Sequence, residues 1–111
     1  MLDPYAVLQF FYNNMEKPIY VKFSKKNGII REMICVFGGK DVYIQGKIDK
    51  EESTREYITT GVLTVWSKND YDSNYASLLF EGFDKQDADL FAGRGAWRRI
   101  NIKAVIEIRL K

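Results

Sequence analysis

The sequence predicts a mainly β protein: a small, strongly bent antiparallel barrel with an N-terminal α-helix and a long acidic insertion before the last two strands. Three observations carry this. Apolar and polar residues alternate in short runs, first as Ile19, Val21 and Phe23 against Tyr20, Lys22 and Ser24, the period of a half-buried strand. Asn27-Gly28 separates two such runs, and both residues tolerate the positive φ that a tight hairpin needs. Finally, WRRINI and VIEIRL are divided by Lys103-Ala104 alone, so two strands close the chain across a very short connection. At 111 residues the chain is one domain, 1–111, and its 14% aromatic content supplies enough bulk for a packed core.

The elements follow in order. Asp3-Pro4 opens a helix over 3–14, because Asp caps free backbone N–H groups and Pro suits the first helical position. Tyr5, Val7, Leu8, Phe10, Phe11 and Tyr12 make that helix apolar around much of its circumference. Deep packing on the barrel is the first explanation. Phe10, Phe11 and Tyr12 are the candidate self-association face and a route to a homo-oligomer. The first strands occupy 18–47. IIREMICVF is apolar on both faces from Met33 onward, and Gly38-Gly39 precedes a third strand, DVYIQGK. Residues 48–60 are polar and read as a loop or one helical turn, and GVLTVW gives a strand at 61–67. Residues 68–96 form the insertion, with room for one short strand at Leu78–Phe83. The closing hairpin spans 97–110. A strand, a one-turn connection and a final strand are the closing element of SH3-like and Sm-like barrels, so the predicted fold is SH3-like.

YVKFSKKNGIIREMICVF, LTVWS and WRRINIKAVIEI together resemble small phage-encoded SH3-like β-barrel proteins. The matching positions are Lys25, Lys26, Asn27 and Gly28 in the turn, Arg31, Met33 and Cys35 in the strand after it, Val65 and Trp66, then Trp97 and Arg98. Ser67 stands where that pattern has Asp. The resemblance implies the barrel fold, a viral origin and residence in a host cytoplasm. A helix followed by a bent barrel is also similar to Sm-like proteins, which form rings and bind RNA.

Composition excludes several chemistries. No histidine is present, which removes imidazole metal sites and histidine acid–base catalysis. One cysteine, Cys35, permits neither an internal disulfide nor a multi-cysteine zinc site, and its apolar strand neighbours suit an inert buried thiol. The N-terminus lacks the basic region of a signal peptide and no apolar run is long enough to span a membrane, so a cytoplasmic setting is expected. DYDSNYASLLFE places Asp70, Asp72, Asn74 and Glu81 at calcium-loop positions 1, 3, 5 and 12, but Tyr75 occupies position 6, where the loop requires Gly. A solvated acidic insertion is the reading that remains. No phosphate-binding glycine motif and no nucleophile–base pair occurs, so neither an enzyme nor a cofactor is expected.

Charge is divided unevenly. Residues 17–40 carry a net +5, residues 41–92 a net −6 and residues 93–111 a net +5, within an overall +2. Trp97, Arg98 and Arg99 open the closing hairpin. If Ile100 and Ile102 face the core, Trp97, Arg99 and Asn101 face outward. Arg94, Lys103 and the first-hairpin residues Lys22, Lys25 and Lys26 would extend the surface if the ends of the barrel meet. Trp and Arg favour protein hot spots, and a basic surface with an exposed ring also suits single-stranded nucleic acid. The small net charge and the adjoining acid favour a host or viral protein as partner, with an RNA- or DNA-binding barrel as the alternative.

Overall fold

A computed structural model describes residues 2–38 and 61–111. The third strand expected in DVYIQGK and the polar segment 48–60 lie outside the described residues.

The N-terminal helix α1, Pro4–Asn13, starts as expected: the Asp3 carboxylate accepts a hydrogen bond from the Tyr5 N–H and Pro4 stands at the first turn. Val7 and Phe11, one turn apart, are buried, and Leu8, Phe10 and Tyr12 pack against the same core from its margin. The Phe37 ring receives both Phe11 and Tyr12 edge-on, with centroids 5.9 and 5.1 Å away.

Strands β1 (Ile19–Ser24) and β2 (Ile30–Val36) form the first hairpin, in register from Ile19↔Cys35 to Ser24↔Ile30. Its turn closes through Lys25 N–H to the Ile29 carbonyl at 2.9 Å, with Gly28 at φ +84°. Strand β3 (Val62–Ser67) pairs with β4 (Trp97–Asn101) from Val62↔Asn101 to Trp66↔Trp97. A 3₁₀ turn, Ile102–Ala104, leads into β5 (Val105–Leu110), which pairs with the far side of β1. The antiparallel sheet therefore runs β4-β3-β2-β1-β5. Its two edge strands are consecutive in sequence and three residues apart, so the sheet has to bend. Ile19, Val21, Met33, Leu63, Val65, Ile100, Ile102 and Val105 fill the concave side, as the alternation requires.

Two expectations are corrected. The sheet is not closed into a barrel: among the described residues no ladder joins β4 to β5. And the protein is mixed α/β, because the insertion is helical. Helices α2 (Lys68–Phe80) and α3 (Lys85–Arg94) occupy the stretch read as a solvated loop, and Leu78–Phe83 is the end of α2 and the turn after it rather than a strand. Their signals are caps. Ser67 Oγ accepts from the Asp70 N–H at 3.2 Å and Asp84 accepts from the Asp87 N–H at 2.8 Å. The calcium-loop spacing of Asp70, Asp72 and Asn74 is thereby wound around a helix, which cannot converge them on one ion.

The helical pair is fastened to β3. Trp66 is buried, donates its indole N–H to the Gly93 carbonyl at 3.0 Å, and lies against the Tyr71 ring at 5.2 Å. Ala88, Ala92 and Gly93 give α3 a buried face of small residues, and the Tyr71 hydroxyl donates to the Asp89 carboxylate.

Candidate functional site

Among the described residues, the ladder between β2 and β3 holds only Cys35↔Ser67 and Val36↔Trp66. Beyond it, the hairpin half of β2 has no partner in β3, because β3 ends at Ser67 and the chain turns directly into α2. The first turn of α2 takes over. Asn69 Oδ1 accepts from the Ile34 N–H at 2.7 Å, and the Asp70 carboxylate meets the Arg31 guanidinium at 2.6 Å and that of Arg98 at 3.2 Å. Arg98 also donates to the carbonyls of Gly95 and Trp97. One carboxylate thus ties β2 to β4 across the end of β3.

This arrangement leaves a groove of about 840 Å³ between the first hairpin and the edge made by β4 and the 3₁₀ turn. Phe23, Met33 and Val62 form an apolar floor. Lys25, Lys26, Arg31, Arg98 and Arg99 line it with positive charge. Lys25 and Lys26 are exposed on the turn, and no carboxylate of the described residues pairs with them. Arg99 is exposed and Arg98 half-buried.

Partial burial pushes the Asp70 carboxyl up, but the Ser67 hydrogen bond and the Arg31 and Arg98 charges outweigh it and hold the group below its ordinary 3.8. Asp70 stays anionic at any physiological pH, and it pairs with two of the five cations that line the groove.

The residues picked from the sequence separate into two sets. Lys25, Lys26, Arg98 and Arg99 come together, as they would if the two ends of the sheet met. Trp97 does not line the groove; it is half-buried opposite Trp66. Arg94 is exposed at the end of α3 and Lys103 is exposed in the 3₁₀ turn, neither in the groove wall. Lys22 lies on the outer face of β1, in register with Glu32 on β2 and Glu107 on β5. There Tyr20 donates to Glu32 while Arg109 covers its ring at 4.2 Å. Among the three residues offered for self-association, Phe11 is wholly in the core, and Phe10 and Tyr12 pack at its margin. Arg31, which the sequence offered only as part of a strand pattern, belongs to the groove.

Cys35 is buried, and burial alone pushes its thiol up to about 12. No thiolate chemistry operates from that position at neutral pH. No helix among the described residues is long and apolar enough to cross a membrane. No family model, curated protein or solved structure matches the chain.

Proposed function

We propose that this protein is a non-enzymatic docking module, an SH3-like barrel opened between its last two strands, whose groove receives an acidic segment of a partner protein. The strand order and the 3₁₀ turn before β5 support the SH3-like assignment. One observation carries the functional reading: Lys25, Lys26, Arg31, Arg98 and Arg99 surround a floor of Phe23, Met33 and Val62. Cationic walls over an apolar floor select a chain that carries carboxylates and apolar side chains together. Nucleic acid fits less well. Stacking needs an exposed ring, yet the aromatic residue of the groove, Phe23, is 7% exposed, and Trp97 stands outside it. The resemblance to phage proteins makes a host or viral protein the expected source of the segment.

Fluorescence anisotropy tests this with two probes: an Asp/Glu-rich peptide of about twelve residues containing two Phe, long enough when extended to cross most of the molecule, and single-stranded and duplex oligonucleotides. The peptide binds more tightly, more weakly at high salt, and at least about tenfold more weakly after Lys25→Ala, Lys26→Ala and Arg99→Ala are combined. An oligonucleotide that outcompetes the peptide gives the groove to nucleic acid instead. Absence of any binding at low salt ends the docking assignment.

A further inference from the structure

The turn between α2 and α3 exposes more aromatic surface than a solvated loop requires. Phe80, at the end of α2, is 93% exposed, and Phe83 and Phe91, in edge contact with centroids 6.0 Å apart, are exposed beside it. Glu81, Asp84 and Asp87, all exposed, neighbour these rings along the chain, with Lys85 among them and Arg94 one turn beyond Phe91. Large rings set among carboxylates match the composition that the basic groove selects. The same chain therefore carries both a cationic groove with an apolar floor and an anionic tip with apolar side chains.

The tip cannot enter its own groove. Asp70, in the first turn of α2, is bonded to Arg31 and Arg98 at the groove wall. From there α2 runs on to Phe80, about 15 Å of helical rise away. The helix is held in place by α3 through Tyr71–Asp89 and Asn74 to the Ala92 carbonyl.

We infer that the groove is occupied by a second copy of this chain: the α2–α3 tip of one molecule, led by Phe80 and Phe83, seats in the Lys25/Lys26/Arg99 groove of the next. This rests on the groove taking an acidic, apolar-bearing protein segment. The two surfaces are different patches, so the contact is heterologous, and repeating it builds a head-to-tail ring or an open chain.

Sedimentation velocity on two surface variants tests the contact. The first combines Lys25→Glu and Lys26→Glu and keeps the tip; the second combines Phe80→Ser and Phe83→Ser and keeps the groove. Wild type self-associates at roughly 100 µM and about 0.05 M salt, and this association is lost at about 0.5 M salt. Each variant alone is monomeric. Their equimolar mixture gives the mass of two chains and no more, because only one productive contact remains. Wild type that is monomeric at low salt overturns the inference, as does a mixture that stays monomeric while wild type associates. If the chain binds the Phe-containing acidic peptide yet never self-associates, the second copy is wrong and the groove assignment stands. If it does neither, both fall.

Discussion

The groove gathers five cations and the outer face of β1 two, and the two places treat them differently. On the outer face, Lys22 lies between Glu32 and Glu107, and Arg109 covers a Tyr20 ring whose hydroxyl is bound to Glu32. Charge there alternates in sign and is answered locally, as on an ordinary solvated sheet. In the groove, Lys25, Lys26, Arg31, Arg98 and Arg99 share one wall, and the Asp70 carboxylate pairs with Arg31 and Arg98 among them. The contrast is between charge that keeps a surface soluble and charge concentrated against an apolar floor, where it raises the local potential for an incoming anion. Asp70 is what makes the concentration tolerable, since it pins the two arginines nearest the helix and leaves the two lysines of the turn to a partner.

The most damaging way to break this contrast is Trp66→Ala. Removing a buried indole that holds α3 by a hydrogen bond and α2 by ring contact costs about 3–5 kcal/mol. Thermal unfolding by circular dichroism would register this as a large drop in Tm with early loss of helix signal. Asp70→Asn is next, at about 1–3 kcal/mol, because it withdraws the charge from two guanidinium groups at once.

Its pH dependence is also specific. A carboxyl whose folded-state pKa lies below its unfolded value stabilises the fold above the unfolded value, and that stabilisation is lost as pH falls through the folded one. Urea titrations across and below the ordinary carboxylate range should show acid sensitivity in wild type that is reduced in Asp70→Asn. The smallest effects on stability, within about 0.5 kcal/mol, come from two surface pairs. Lys25→Ala with Lys26→Ala should weaken acidic-peptide binding about tenfold or more. Lys22→Ala with Arg109→Ala should change it less than about twofold. Equal effects of the two pairs would erase the distinction between the faces.

Where the signal was local, the sequence was legible. Period-two alternation placed β1 and the inward Ile100 and Ile102, Asn27-Gly28 placed the first turn, and Lys103-Ala104 marked the short link to β5. The helical pair was hidden because α2 buries no residue completely and has no apolar stripe to betray its period. Its capping residues, Ser67 and Asp84, were the available clue. Of the groove, the sequence offered the right cations at both ends of the chain, but their meeting depends on tertiary structure. Arg31 finds Asp70 39 residues away, a pairing that no local pattern announces.

The short ladder between β2 and β3 has a use of its own. One of its two residue pairs is Cys35↔Ser67, and Cys35 is the sole thiol in the chain, fully buried and protonated. A thiol reagent can reach it only when the structure opens around it, and that seam is one of the two strand junctions that flank it. The rate of modification in native buffer is therefore a clock on local opening of the sheet around Cys35, read without adding a probe. Slowing of that clock by a bound groove ligand would measure how firmly occupancy of the groove closes the seam beside it.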